Sequence, residues 1–198
     1  MEPFRSARGR AIPLNRSNVD TDSIIPARYL KRIERTGYGS FAFEAWRKDP
    51  AFVLNNPAYD GAPIMLARQN FGSGSSREHA VWALEGLGVR CLIATSFADI
   101  FKNNCFQGGL LTVELPDERV EYLMTRAEEQ PQSELEVDLE TQTVRTTDGR
   151  WTANFEIDPF KKYRLLRGLD DISMTLEYEP DIAVFEAERP PWLDPARN

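Results

Sequence analysis

One short segment of the sequence, Asn70–Ala80 (NFGSGSSREHA), combines glycines, hydroxyl groups and an arginine. Gly72 and Gly74 can adopt backbone angles closed to other residues and let a ligand approach the main chain. Ser75 or the serine after it is a suitable N-cap for a following helix, whose first amides and dipole favour an anion. Arg77 adds a planar guanidinium that can bind a carboxylate or phosphate in two places. The segment therefore predicts an anion site that contains hydroxyl groups.

Three familiar motifs do not fit this segment. A Walker phosphate loop requires a lysine that is absent, and a dinucleotide-binding fingerprint requires a glycine where Arg77 stands. A hydrolase nucleophile elbow requires a glycine at Glu78. His79 lies one helical turn beyond Ser75, where local packing is commoner than activation of a serine. A hydrolase triad and a plain helix cap beside a surface arginine stay open as alternatives to the anion site.

The residues around this segment predict a strand-to-helix turn. A short apolar strand over 62–67 precedes the turn, and residues from about 76 to 86 have helical spacing. Helices and strands then alternate, with a strand over 89–95, a helix over 97–106 and a strand over 110–115. This order predicts a layered α/β domain in which the turn follows the end of a strand.

The second half of the chain predicts strands and then a helical arm. Further strands are expected over 134–140, 143–147 and 151–157. Thr147–Gly149 predicts the turn before the last of them. A helix is expected from Asp158, a capping residue followed by proline, to Gly168. Residues 170–198 are predicted to be a C-terminal arm on the surface, of the kind that often docks on a partner.

Two acidic residues and a glycine-containing loop lie before the strand at 62–67. Asp20 and Asp22 fall in a polar loop, where they could bind a metal or shape the loop, and turn-making is the commoner role of aspartate. Further on, Gly37 and Gly39 are expected to give the segment Thr36–Ser40 the freedom of a hinge. Such loops often close over a site, so we consider both a lid and a plain connection.

Composition narrows the class of protein. Acidic residues number 31 and basic residues 24, and the net charge of −7 argues against broad binding to nucleic acids or anionic membranes. No apolar run approaches about 18 residues and no signal peptide is visible, so we expect a soluble cytoplasmic protein. Cys91 and Cys105 are too few for a disulfide framework or an iron–sulfur cluster, and a single histidine argues against a zinc site. Any metal or cofactor is expected to come from outside this chain.

Three segments resemble one family in their order and spacing. They are NVDTDSIIPARYL from Asn18, NFGSGSSREHAVWAL from Asn70 and SFADIFKNNCFQGGLL from Ser96. Together they resemble the small subunits of 3-isopropylmalate dehydratase, the leucine-pathway isomerase, whose domain is similar to the swivelling domain of aconitase. The resemblance implies one β/β/α swivelling domain over 1–198, with a flexible substrate-recognition loop at 30–46.

The resemblance also implies an activity and its requirements. In this family 2-isopropylmalate is converted to 3-isopropylmalate through isopropylmaleate, by a hydro-lyase that is active only as a complex. A [4Fe–4S] cluster with one open iron belongs to the large subunit of that complex, and residues of the small one complete the site. The implied partners of this chain are the large subunit and a small dicarboxylate substrate, with no nucleic acid and no membrane. A dianionic substrate suits the predicted anion site.

Residue roles follow from the matching motifs. Ser75 stands at the position whose alkoxide acts as general base, which the helix start and Arg77 could stabilise. Asp20 and Asp22 are expected to shape the neighbouring loop. The expected substrate-binding residues are Gly74, Ser76 and Arg77. The expected specificity loop is represented by Ile33, Thr36, Gly37 and Tyr38.

Two other functions stay open at this point. A related dicarboxylate isomerase, of the citramalate or homoaconitate type, would differ in the loop from Ile33 to Gly39. A non-catalytic anion-binding or regulatory module would keep its function without the Ser75 hydroxyl. The sequence departs from the family at Thr112, where proline commonly follows the two leucines, and this change affects a strand and not the proposed chemistry.

Overall fold

The computed structural model describes residues 1–31, 36–75 and 77–188. The chain divides into two compact units, Met1–Gly168 and Leu169–Asn198. The strands are β1 (Ser6–Pro13), β2 (Ile64–Leu66), β3 (Cys91–Ala94), β4 (Leu111–Glu114), β5 (Glu134–Asp138), β6 (Thr143–Thr146) and β7 (Thr152–Asn154). The helices are α1 (Thr21–Ile24), α2 (Glu78–Gly86), α3 (Asp99–Gly108), α4 (Asp117–Glu129), α5 (Pro159–Arg167), α6 (Asp171–Leu176) and α7 (Glu179–Ala187). Short 3-10 helices span Ala27–Lys31, Tyr38–Phe41, Trp46–Lys48, Val53–Asn55 and Pro57–Tyr59.

A seven-stranded sheet, in the order β4-β3-β2-β1-β5-β6-β7, organises the first unit. Strands β1 to β4 run parallel, whereas β5 pairs antiparallel with β1 and begins an antiparallel half that β6 and β7 complete. The parallel strands β2 and β3 are buried throughout, because both faces of this half are covered. In β5 the apolar Leu135 and Val137 alternate with charged residues, which is the pattern of a strand buried on one face.

Helices cover the sheet on both faces. On one face α2 and α3 pack against side chains that include Ile12, Met65 and Leu92. On the other face α4 and α5 pack against the neighbouring residues of the same strands, such as Ile64 and Ile93. Because successive side chains of a strand point to opposite faces, each parallel strand contributes to both hydrophobic cores.

Most of the predicted elements are confirmed. The strands and helices expected between 62 and 168 appear with shorter strands, and Asp158 caps α5 by accepting hydrogen bonds from the amides of Phe160 and Lys161. Gly149 adopts φ +72 in the predicted turn. Strand β1 and helices α1 and α4 were not predicted. Two further helices, α6 and α7, follow α5 within the C-terminal arm that the sequence predicts to be helical.

The second unit consists of the two short helices α6 and α7 over its described residues. Asp170 caps α6 by accepting a hydrogen bond from the amide of Ser173. The exposed large apolar side chains of the second unit are Ile172, Leu176, Tyr178, Ile182, Val184 and Phe185. Within the described ranges, no helix has the length and apolar content to cross a membrane.

The segment Tyr38–Phe41 packs directly on the end of α2. A Cβ atom added to Gly86 would lie 2.5 Å from the backbone nitrogen of Gly39, so the two main chains touch. Gly39 is therefore a packing position, and the prediction that it supplies hinge freedom is wrong. Gly37 differs, because it is exposed, adopts φ +80 and has no atom within 4 Å of an added Cβ.

Glu85 of α2 couples the stability of this region to pH. Burial raises the pKa of its carboxyl to about 6, an effect that Arg90 opposes and that Glu78 and Glu2 reinforce. The folded state therefore holds the Glu85 proton more tightly than the unfolded chain does. The contribution of this proton to the stability of the fold is fully present below about pH 4.5 and is lost as the pH rises through 6.

We expect Glu85→Gln to raise the melting temperature at pH 7.5 and to leave it unchanged at pH 4.5, where the native carboxyl is already neutral. Screening by solvent limits the gain to about 1 kcal/mol for this half-buried group. Thermal unfolding at both pH values measures the effect, with the exposed Glu156→Gln as the control. Equal shifts in the two variants would contradict the expectation.

Candidate functional site

The predicted turn lies where two loops meet at one edge of the sheet. Because β1 and β2 are parallel, the loops that follow them start at the same edge, which is where open α/β sheets place their ligands. The two loops continue side by side. The amides of Gly72 and Ser73 donate to the carbonyl of Val19 at 2.7 and 3.1 Å, and the amide of Thr21 donates to the carbonyl of Ser73 at 3.0 Å. The first loop therefore supports the second along its length.

The two glycines of the turn have different functions. Both adopt positive φ, +79 at Gly72 and +85 at Gly74, as predicted. A Cβ atom on Gly72 would lie 2.6 Å from the Cβ of Phe101, so this glycine allows close packing of the turn on α3. The prediction that a ligand approaches the main chain at Gly72 is wrong. At Gly74 an added Cβ would lie 3.5 Å from the Cβ of Asp20, so this residue is needed for its backbone angle and not for space.

The helix after the turn begins later than predicted. Arg77 is the N-cap residue of α2, with an extended backbone (φ −144, ψ 124) and no capping hydrogen bond from its side chain. The prediction that a serine caps this helix is therefore wrong, and Ser76 lies outside the described residues. Ser75 is exposed and stands two positions before the N-cap. Its hydroxyl is thus not required to cap the helix, which leaves it available for chemistry.

The main chain of Ser75 is attached to the first loop. The hydroxyl of Thr21 donates a hydrogen bond of 2.5 Å to the carbonyl oxygen of Ser75. Thr21 is fully buried, and it lies 54 positions before Ser75 in the chain. This contact was not predicted, although Thr21 stands between the two aspartates that the sequence singles out.

Both aspartates have defined structural partners. Asp20 caps α1, because its carboxylate accepts a 2.6 Å hydrogen bond from the amide of Ser23. Asp22 accepts a 2.5 Å hydrogen bond from the guanidinium of Arg77, which is only 18% exposed. In the described part of the chain, no group of three His, Cys, Asp or Glu side chains is placed to hold a metal ion. These contacts favour the loop-shaping role over the metal-binding one.

His79 packs among aromatic rings. Its ring centroid lies 4.6 Å from that of Trp82 and 5.5 Å from that of Tyr38. Local packing was the commoner role expected for this histidine, and this aromatic cluster agrees with that expectation. The cluster also joins Tyr38, a residue of the expected specificity loop, to the helix that follows the Ser75 turn.

The expected specificity residues are only partly described. Ile33 lies outside the described residues, and Thr36 and Gly37 are exposed. Tyr38 is fully buried, so it holds the end of this loop against α2. The structure thus brings Asp20, Asp22, Gly74, Ser75 and Arg77 together, and it anchors the loop through Tyr38 at the next turns of the same helix.

Cys91 and Cys105 do not suit the binding of an iron–sulfur cluster. Both are fully buried, and they belong to the hydrophobic cores on opposite faces of the sheet. Burial raises the pKa of each thiol above its ordinary value, which disfavours the thiolate form that a cluster requires. The burial and raised pKa of these two thiols therefore do not fit the ligands of such a cluster.

Comparisons with known proteins identify the family of this fold and site. The family model described as Aconitase C-terminal domain matches residues 1–118, and the model for the C-terminal domain of the 3-isopropylmalate dehydratase small subunit matches residues 171–196. A model described as LeuD_N matches residues 121–159. The 3-isopropylmalate dehydratase small subunit of Rubrobacter xylanophilus is 54% identical over 193 residues, which cover 98% of each chain. The chain belongs to the 3-isopropylmalate dehydratase small-subunit family.

Other members of the 3-isopropylmalate dehydratase small-subunit family agree over the whole length. The protein of that name from Frankia alni is 54% identical over 196 residues, covering 99% of this chain and all of that protein. A crystal structure of a 3-isopropylmalate dehydratase from Methanocaldococcus jannaschii is 26% identical, with a TM-score of 0.67, and covers 90% of this chain and 98% of that chain. The predicted family and the predicted aconitase-like α/β fold are thereby confirmed.

Proposed function

We propose that this chain is the small subunit of a two-subunit hydro-lyase that isomerises 2-isopropylmalate to 3-isopropylmalate in leucine biosynthesis, in the cytoplasm. Family membership supports the reaction class. The observation that carries the proposal for the site is the exposed Ser75, which lies two residues before Arg77 in the turn at the carboxyl ends of parallel strands. The activity would require a large subunit, as the small-subunit names of the relatives imply.

Ser75 would act as the general base of the dehydration. Its ionised Oγ takes the proton from the carbon next to the one that bears the hydroxyl, and the electron pair of that C–H bond forms the double bond of isopropylmaleate. The hydroxyl leaves from the neighbouring carbon and, with a proton, becomes water. Addition of water in the opposite orientation then gives the isomer. The protonated Ser75 oxygen donates a proton to the carbon that lost the hydroxyl in that step.

Arg77 would bind a carboxylate of the substrate and stabilise the Ser75 alkoxide. A serine oxygen is a poor base unless its ionised form is stabilised, and a guanidinium near the start of a helix provides such stabilisation in a site closed to water. Asp22 fixes the guanidinium through their 2.5 Å contact, so Arg77 is oriented before substrate arrives. Gly74 and Ser76 are the other substrate-binding positions that we propose.

The large subunit would supply the [4Fe–4S] cluster, because the cysteines of this chain do not fit that group. When bound there, the cluster would provide a Lewis acid for the departing hydroxyl. The part left to this chain is to bind carboxylate, to hold the proton at Ser75 Oγ and to cover the substrate. We propose that Ile33, Thr36 and Gly37 contribute to the loop that covers the isopropyl group, and that Tyr38 fixes its end.

Reconstitution tests this function. The purified chain is mixed anaerobically with its candidate large subunit loaded with cluster, and isopropylmaleate absorbance is followed after addition of 3-isopropylmalate. We expect turnover only when both proteins are present. Each protein alone, and the pair with unloaded large subunit, are the controls.

The same assay separates the alternatives. An assembled and loaded pair that is inactive on 3-isopropylmalate but converts citramalate or homoaconitate would keep the reaction class and change the substrate. A pair that assembles but converts none of these compounds would contradict the proposal and favour a non-catalytic anion-binding module. Measuring complex formation by gel filtration beside each assay excludes failed assembly as the cause.

A further inference from the structure

Thr21 joins the two loops of the site on both sides of Gly74. Its amide donates to the carbonyl of Ser73 at 3.0 Å, and its hydroxyl donates to the carbonyl of Ser75 at 2.5 Å. Thr21 is 0% exposed, whereas Ser75 is exposed, so the donor hydroxyl is buried and its bond to the Ser75 carbonyl is partly buried. Removal of this hydroxyl takes away the side-chain partner that fixes the Ser75 carbonyl.

The Ser75 main chain has no regular structure to hold it. Gly74, before Ser75, adopts φ +85, which glycine reaches as readily as negative φ and which therefore restrains the chain little. Arg77, two residues after Ser75, still has an extended backbone. Ser75 therefore lies outside the hydrogen-bond ladder of α2. The bond from Thr21 restrains the peptide group of the residue whose side chain carries the proposed base.

Thr21 is itself rigidly placed. It is the first residue of α1, and the carboxylate of Asp20 caps this helix through the amide of Ser23 at 2.6 Å. The carbonyl of Thr21 accepts a hydrogen bond from the amide of Ile25 at 2.9 Å. Ile24, the last residue of α1, and its C-cap residue Ile25 are fully buried. The first loop thus offers a fixed point from which the Ser75 turn can be oriented.

We propose that Thr21 is a positioning residue that sets the orientation of the Ser75 oxygen through the Ser75 carbonyl. The proposal rests on the proposed function of Ser75 as a base. It assigns to the first loop an influence on catalysis, through the position of Ser75, that is distinct from shaping the loop. It also explains why a threonine, with a donor on a short and stiff side chain, stands between Asp20 and Asp22.

Replacement of Thr21 by valine removes the hydroxyl at nearly the same shape. In the reconstituted enzyme we expect Thr21→Val to lower kcat by about 10- to 100-fold, because small misplacements of a catalytic group have effects of this size. KM should change little, since Arg77 keeps its partner Asp22. Thr21→Ser keeps the donor and should restore most of kcat.

Thr146→Val is the matched control. Thr146 is 1% exposed, lies in β6 and hydrogen-bonds through its hydroxyl to the main chain of Trp151. This variant loses a buried threonine hydroxyl outside the site, so it should lower the melting temperature without lowering kcat. An equal loss of kcat in Thr21→Val and Thr146→Val, or no rescue by Thr21→Ser, would overturn the proposal.

Hydrogen–deuterium exchange of the free chain decides the structural half of the proposal without any activity. We expect Thr21→Val to accelerate amide exchange over residues 72–78 and Thr146→Val to leave this segment unchanged. Unchanged exchange in Thr21→Val would overturn the proposal. An inactive wild-type pair would contradict the proposed function, and the exchange result would still show whether Thr21 holds the turn.

Discussion

Ser75→Ala is expected to reduce kcat of the reconstituted enzyme by about 10²- to 10⁴-fold, the usual contribution of a general base. The chain should still assemble with the large subunit, because the Ser75 hydroxyl is exposed and does not cap α2. The affinity for the dicarboxylate should remain close to that of the wild type, since Arg77 and its ion pair with Asp22 are unchanged. Steady-state kinetics with 3-isopropylmalate measure kcat. Calorimetric titration of the assembled Ser75→Ala enzyme with 3-isopropylmalate measures the affinity for the dicarboxylate.

Ser73→Ala is the control for this prediction. Ser73 lies in the same turn, and its contacts to Val19 and Thr21 are made by its main chain, which the substitution preserves. We expect this variant to keep kcat within a small factor of the wild type. Equal activity of Ser75→Ala and Ser73→Ala would remove Ser75 from the catalytic role.

Gly72→Ala is expected to destabilise the first unit by about 2–5 kcal/mol, through backbone strain at φ +79 and a clash with Phe101. A new Cβ would lie 2.6 Å from the Cβ of Phe101, closer than two such atoms can approach, so the turn or α3 would have to shift. Urea unfolding followed by circular dichroism measures the loss. Because Gly72 supports the Ser75 turn, activity should fall with the folded fraction.

Gly61→Ala separates strain from clash. Gly61 has a similar backbone conformation, with φ +66, but no atom lies within 4 Å of an added Cβ. We expect this variant to lose only about 1–2 kcal/mol, the cost of the left-handed conformation for alanine. If Gly72→Ala and Gly61→Ala lose the same free energy of unfolding, the close packing on Phe101 contributes nothing.

The elements that were predicted carry local signals. Glycines end α2 and α3, and strands β2 and β3 lie in short apolar runs bounded by polar or glycine residues. In contrast, β1 contains Arg8, Gly9 and Arg10, which break the pattern of a buried strand. This strand is defined by its pairing with β2 and β5, and Gly9 is required there because a Cβ would lie 2.8 Å from Pro63. Such tertiary pairing has no local signature.

Helix α4 was not predicted, although its sequence carries a local signal for a helix. Its buried residues Val120, Leu123, Met124 and Ala127 have the spacing of an amphipathic helix. The highly charged residues between them hide that stripe from a reading based on apolar runs. The 3.6-residue period of these buried residues is the local signal that predicts this helix.

The residues of the candidate site could be predicted from the sequence, but the contacts between them could not. The sequence singles out Asp20, Asp22, Ser75 and Arg77, and the structure brings all four to one edge of the sheet. The predicted start of α2 was wrong because long-range hydrogen bonds hold the residues before this helix. The bond from Thr21 to Ser75 joins residues 54 positions apart, and the bond between Arg77 and Asp22 joins residues 55 positions apart. A local capping rule takes no account of a hydroxyl that approaches from another loop.

Exchange of the substrate C–H proton with solvent tests the central claim, that Ser75 is the base, most directly. The reconstituted enzyme is incubated with 3-isopropylmalate in D₂O, and deuterium at the acidic carbon is followed by NMR. We predict exchange in the wild type and in Ser73→Ala, and none above background in Ser75→Ala despite saturating substrate. Exchange at the wild-type rate in Ser75→Ala would show that another group takes the proton and would contradict the account.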